Sequence, residues 1–295
     1  LSSDVYEAIV GFGPFESAAA ALDQKTPIGS RLNSWRWQGV PAELRDRAMF
    51  SSRVESVRFL SEARDRLASE MRIQRERLAN GESAFFDRDS FIVSMREIAE
   101  AEGIDTNDGN YDGSIKDIRS AKRLGLIYDV QTQQAEEYGR YTMSMDPDVL
   151  DAWPAKRLIR VEYRERKRNW IEIWRAAKNE IGGEGVAKGA DMVALTTSPI
   201  WTHLGPFGNP YPPFDWGSGM GQQDISRAEA EDLGLVNPAQ DIPVPDKTET
   251  FNKRLQAGVE GISQELRDFL VTSFGNQVQI VADVAKWIEN YEITR

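Results

Sequence analysis

A single histidine, His203, and the absence of cysteine limit the chemistry open to this 295-residue chain. Without cysteine there can be no disulfide, no thiolate zinc site, no iron–sulfur cluster and no cysteine nucleophile. A Ser–His–Asp triad would have to use His203, and a metal site built on two imidazoles is impossible. Acid, base and nucleophile roles therefore fall to carboxylates, Lys, Tyr, Ser, Thr and Arg. A pair of carboxylates could cleave a glycosidic bond, but with 47 Asp and Glu residues the sequence singles out no pair.

Two stretches carry a recognisable pattern. Asp108-Gly109-Asn110-Tyr111-Asp112-Gly113-Ser114-Ile115 reproduces the first eight places of a calcium loop, with oxygen side chains at places 1, 3 and 5 and Gly at 6. Arg119 stands at the twelfth place, where a bidentate Glu should close the coordination sphere, and Lys116 at the ninth. The alternative is a turn leading into a helix, with Ser114 as N-cap and Asp117 at the third helical position. The second stretch, Lys156 to Lys178, interleaves Arg157, Arg160, Arg164, Lys167, Arg168 and Arg175 with Tyr163, Trp170 and Trp174. Basic groups among aromatics can hold a phosphate backbone and stack on bases. Glu162, Glu165, Glu172 and Glu180 dilute the patch, so the other reading is a solvated, salt-bridged face.

Gly205 to Gly219 is rich in Gly, Pro and aromatic residues. Its glycines lack the strand-to-helix spacing of a phosphate loop and suggest a stiff, packed loop. His203, just upstream, reads as a hydrogen-bonded structural residue. No cofactor site is expected.

The net charge of −11 opposes non-specific adhesion to nucleic acid or anionic lipid, although a local basic surface remains possible. With 40% hydrophobic and 28% charged residues the chain is globular in composition. No window supplies the roughly 18–20 apolar residues of a membrane span. Leu1-Ser2-Ser3-Asp4 lacks the features of a secretory signal, so a soluble protein that is not secreted and does not engage a membrane is expected.

The elements that must position these residues read as mainly α, of α+β type. Long amphipathic helices at both ends surround a small central α+β segment with few short strands. Residues 1–40 are expected to form an extended arm whose Phe12, Phe15, Trp35 and Trp37 pack either on the chain's own body or on a neighbour. Residues 41–150 form a helical domain. It holds one long helix from Pro41 to Asn80, or two with a bend near Phe50-Ser51-Ser52, then a helix over Asp89–Ala101 and another from Ser114 to Met145. Residues 151–235 form the α+β segment, with strands at Leu158–Tyr163 and Met192–Thr197, a helix over Asn169–Lys178 and a short one over Ser226–Leu233. Residues 236–295 are a Pro-rich strap and two closing helices, Thr248–Phe274 and Asn276–Tyr291.

Three stretches together resemble the phage minor head proteins of the Mu F-like head-morphogenesis family. Pro41-Ala42-Glu43-Leu44-Arg45-Asp46-Arg47-Ala48-Met49-Phe50-Ser51-Ser52 is similar to the "LRDRAFFS" opening of a long helix. Arg123-Leu124-Gly125-Leu126-Ile127-Tyr128-Asp129-Val130-Gln131, continuing to Glu137-Tyr138-Gly139-Arg140-Tyr141, is similar to "RL..I..TN....Y..GR". Asn209-Pro210-Tyr211-Pro212-Pro213-Phe214-Asp215-Trp216-Gly217-Ser218-Gly219-Met220 stands where the family has a "YPPNGWNCRC"-type segment. Order and spacing agree over about Pro41 to Leu235. Gly217-Ser218-Gly219-Met220 replaces the family's cysteine pair, and Arg168-Asn169-Trp170 falls where a histidine is often found, so no metal or redox role carries over. The resemblance implies a non-enzymatic structural protein of the virion head, assembled in the host cytoplasm. It would contact portal or capsid proteins, and packaged DNA through the basic segment. The alternative is a carboxylate-dependent cell-wall glycan hydrolase carried by a virion.

Overall fold

The computed structural model describes residues 14–83, 85–104, 112–163, 168–189, 192–238, 242–243 and 256–288. Phe12, Arg164, Lys167 and positions 108–111 of the calcium-like loop lie outside this set. In chain order the elements begin with α1 (Phe15–Asp23), β1 (Thr26–Pro27), α2 (Ser34–Trp37), α3 (Ala42–Asp46) and β2 (Ala48–Met49). The long helices α4 (Val57–Ala79), α5 (Arg88–Ala101) and α6 (Ala121–Ser144) follow, then α7 (Pro147–Ala152) and β3 (Ala155–Arg160). Next come α8 (Trp170–Glu180), β4 (Val193–Leu195), a 3₁₀ turn at Pro199–His203, β5 (Met220–Ile225) and α9 (Arg227–Asp232). The chain closes with β6 (Gln256–Gly258), α10 (Gln264–Phe274), β7 (Val278–Val281) and β8 (Val284–Trp287). Helix predominates and the sheets are small, which is the α+β class.

Side chains explain where the helices start. Ser56, Asp87, Asn169, Ser226 and Ser263 each accept a backbone N–H from the first turn of the helix they precede. The helix expected from Ser114 begins instead at Ala121, with Ser120 Oγ accepting the Arg123 N–H at 3.0 Å. Ser114 and Asp117 serve turns, accepting from Lys116 N and Arg119 N. Asp112 accepts the Ser114 N–H, and this bond with the Ser114 hydroxyl lowers its pKa.

The chain divides into two compact units, with the divisions falling inside α1 and α6. One unit contains residues 19–132 and 248–295. Here the expected helix from Pro41 to Asn80 is split. After α3 the chain pairs in parallel with β1, Thr26 opposite Ala48 and Pro27 opposite Met49, before Ser56 restarts it as α4. The second closing helix is also absent. Val278–Val281 and Val284–Trp287 form a hairpin, and β8 lies between β6 and β7 in an antiparallel sheet. The β-branched density of Val278, Ile280, Val281 and Val284 favours a pleated surface over a helix. Arg267 fastens the turn, donating to Ala282 O at 3.2 Å, Asp283 Oδ1 at 2.6 Å and Val259 O at 2.7 Å. Leu44, Leu270, Phe274 and Val278 share this unit's core with Trp37 and Phe50, whose rings stack at 4.1 Å.

The described part of the expected arm, residues 14–40, is therefore mostly packed rather than extended. Trp37 belongs to that core, Phe15 is buried in α1, and Trp35 alone of the described three is exposed.

The other unit contains residues 1–18 and 133–247. Its sheet has the order β4-β3-β5 and is antiparallel throughout, with Ala155 opposite both Leu195 and Ile225. Strand β3 starts three residues before the expected Leu158 because Ala155–Arg157 already pair on both sides. The Gly205–Gly219 loop is irregular and packed, as its composition suggests; the Pro212–Pro213 peptide is cis. Gly219, at φ 63°, turns its carbonyl to accept both Val161 N and Glu162 N, a conformation open to glycine at little cost.

Candidate functional site

Strand β3 and helix α8 carry the described part of the basic segment, and the two elements treat its residues differently. On β3, Lys156 is buried and donates to Asp224 Oδ1 at 2.7 Å, while Arg157 donates to Glu229 Oε1 at 2.7 Å. Arg168, just before α8, donates to the Trp216 carbonyl at 2.9 Å and pairs with Asp215 Oδ2 at 2.9 Å. Lys178 donates to the Ala187 carbonyl. Arg160 and Arg175 are exposed, and neither pairs with a carboxylate among the described residues. Most of the charge is thus committed within the unit, which leaves these two described arginines as the groups able to meet a phosphate.

The aromatic half of the expected nucleic-acid surface is core. Asn169 Oδ1 caps α8, and the helix turns Trp170, Trp174 and Ala177 inward. Trp174 meets Trp201 edge-on at 5.4 Å, and Trp201 stacks on Phe214 at 6.3 Å. Trp170 lies 6.5 Å from the same Phe214 ring. Such buried rings cannot stack on bases, so Trp170 and Trp174 are corrected from contact residues to packing residues. The i, i+4 spacing that puts both on one face of α8 was the signal for this.

The sequence reading missed a charged cluster where α6 faces the β3–β5 pair. Glu136 and Glu137 each lie 3.6 Å from Arg140. Burial raises the pKa of both, outweighing the attraction of Arg140, and for Glu137 also that of Lys156. A carboxyl whose pKa is raised by folding binds more protons folded than unfolded, so stability falls as pH rises through that range. For Glu137→Gln we expect stability at neutral pH to be unchanged or higher. Its loss of stability from about pH 4.3, the ordinary Glu value, upward should also be shallower than in the native protein. Denaturant titrations at several pH values check this; a steeper loss in the variant would refute the assignment.

His203 is hydrogen-bonded, as expected. Nδ1 lies 2.9 Å from the Pro199 carbonyl and 3.1 Å from Thr202 Oγ1, so the ring is held by local hydrogen bonding. Among the described residues no group of three or more His, Asp or Glu is placed to share a metal ion. None of the described helices is long and apolar enough to cross a membrane.

The stretches that resemble phage head proteins make contacts within each unit. Arg123, from the second, reaches the end of the first, where Nη2 donates to Ser51 Oγ at 2.8 Å and to Ser52 O at 3.0 Å. Burial of this guanidinium lowers its pKa. Further along the same helix, Tyr138 and Tyr141 pack on Tyr211 of the third stretch, with ring centroids 5.9 and 5.5 Å apart. Between those tyrosines, Gly139 lies against the Pro14 backbone. The conspicuous residues of these stretches are therefore used for internal packing.

Comparison with known proteins identifies no relative: no family model, no curated protein and no solved structure matches this chain.

Proposed function

We propose that this chain is a non-enzymatic structural component of a phage head, a minor head or head-morphogenesis protein assembled in the host cytoplasm. It contacts portal or capsid subunits. The observation that carries the reading is the series of contacts along α6, through Arg123 to Ser51 and Ser52 and through Tyr138 and Tyr141 to Tyr211. Within one unit the second stretch packs on the first, and within the other its continuation packs on the third, which supports the reading that these resemblances mark packing positions. Packaged DNA is met only peripherally, by Arg160 and Arg175, since the tryptophans are buried and the net charge is −11. The test is incorporation, with the chain expected in purified particles at a constant copy number. Recovery from the soluble pool alone would overturn the proposal.

A carboxylate-dependent glycan hydrolase is the second reading. It is favoured by Glu137, whose pKa is raised by burial as suits a general acid, near Lys156 and Asp224, which lie 2.7 Å apart. Peptidoglycan turnover that disappears in Glu137→Gln would install this reading in place of the first.

A further inference from the structure

We propose that the groove between α2 and the start of α10 is the contact surface for a second copy of this chain. The groove holds about 440 Å³ and is walled by Leu32, Trp35, Leu266 and Phe269, with Arg36 and Glu265 on its rim. Trp35 and Trp37 lie two residues apart and take opposite fates: Trp37 is 6% exposed in the core, whereas Trp35 is 78% exposed. A tryptophan held in water forgoes the burial of roughly 150–250 Å² that such a ring makes in a contact. Gly39 keeps the floor open, because a Cβ there would stand 3.3 Å from Leu266 Cδ2.

A projecting ring beside an apolar hollow on the same face is what a twofold contact requires. In such a contact one patch must supply both the inserted group and its receptor. Trp35 of each copy enters the hollow of the other, against Leu266 and Phe269. Charge points to the same occupant. Arg36 Nη2 and Glu265 Oε2 stand 3.5 Å apart, with side chains 55% and 75% exposed. So loose and wet a pair contributes little within one chain. Across a twofold axis, Arg36 of each copy meets Glu265 of the other, giving two reciprocal pairs shielded by the buried rings. The rim is also locally neutral, so two chains of charge −11 can approach there without like charges meeting. A portal or capsid segment could fill the hollow but would not need the reciprocal charges.

Sedimentation velocity on the purified full chain over about 1–100 µM, a range reporting micromolar affinity, tests this directly. A monomer–dimer equilibrium is expected. Trp35→Ser should weaken it at least about tenfold, as loss of a central aromatic anchor does. Because Trp35 is exposed, the variant should keep the native circular dichroism and unfolding midpoint. Arg36→Glu and Glu265→Arg should each weaken the dimer, and the double exchange should restore it. A monomer throughout the range, a dimer indifferent to Trp35→Ser, or a double exchange without rescue would each overturn the proposal. The outcome does not depend on whether the chain enters a particle.

Discussion

Trp201→Ala is expected to destabilise the β3–α8 unit by about 3–5 kcal/mol, the range for truncating a fully buried aromatic. Trp201 is wholly buried and touches Trp174 on one side and Phe214 on the other, so its removal opens a cavity in the middle of the aromatic cluster. Neither neighbour is free to collapse into it. Trp174 is fixed by the helix, and Phe214 by a loop whose carbonyl accepts the Phe207 N–H. A finer comparison separates packing from hydrogen bonding. Trp201 Nε1 donates to the Leu195 carbonyl at 2.8 Å, whereas Trp170 Nε1 is buried with no partner among the described residues. Trp201→Phe should therefore lose about 1 kcal/mol more than Trp170→Phe, the net worth of one hydrogen bond. Denaturant unfolding followed by circular dichroism gives these differences. Equal costs for the two Phe variants would refute the role assigned to the Leu195 bond.

Gly139→Ala should be the second large effect, and its sign is opposite to helix propensity. In an exposed helix interior, Ala is favoured over Gly by about 1 kcal/mol. At Gly139 a Cβ would collide with the Pro14 carbonyl oxygen and stand 2.6 Å from Pro14 Cβ. That carbonyl is held in place because it accepts the Ala18 N–H at 3.0 Å as α1 begins. Backbone must move against backbone, so a loss of about 1–3 kcal/mol is expected, as for other overpacked sites. Gly125 on the same helix is the control. The three atoms nearest a Cβ there all belong to the Arg88 guanidinium, with Cζ at 2.6 Å, and that side chain can swing away at the expense of its partly exposed pair with Asp129. Gly125→Ala should change the unfolding midpoint little. If both variants behaved alike, the close approach at Gly139 would not be what fixes glycine there.

How far the sequence disclosed this architecture depended on the range of the forces at each position. Helices α5 and α8 and the short α9 stand within two residues of where apolar spacing and capping residues put them, because both signals are local. Strand β3 was legible from its β-branched run, but its start was not, since only pairing across to Leu195 and Ile225 extends it to Ala155. The final hairpin was misread as helix. Val278, Val281 and Val284 recur at helical spacing, and the turn at Ala282–Asp283 holds no glycine; Arg267, remote in sequence, fastens it. At the candidate site the basic residues were found and their destinations were not. Whether an arginine faces solvent or a carboxylate 72 positions away, as Arg157 faces Glu229, is a tertiary fact. Burial of Trp170 and Trp174 was within reach, because their spacing marks one face of a helix. The Glu136–Glu137 cluster was not, since nothing in the chain around those residues predicts their burial.

The head assignment is tested most directly by quantitative mass spectrometry of purified particles, set against the free pool in the producing cells. A structural component is expected at a few to some tens of copies per particle, a low-copy stoichiometry compatible with a ring at a portal. That number should be the same from one preparation to the next. Absence from the particle, with all of the chain recovered in the soluble pool, would contradict the account.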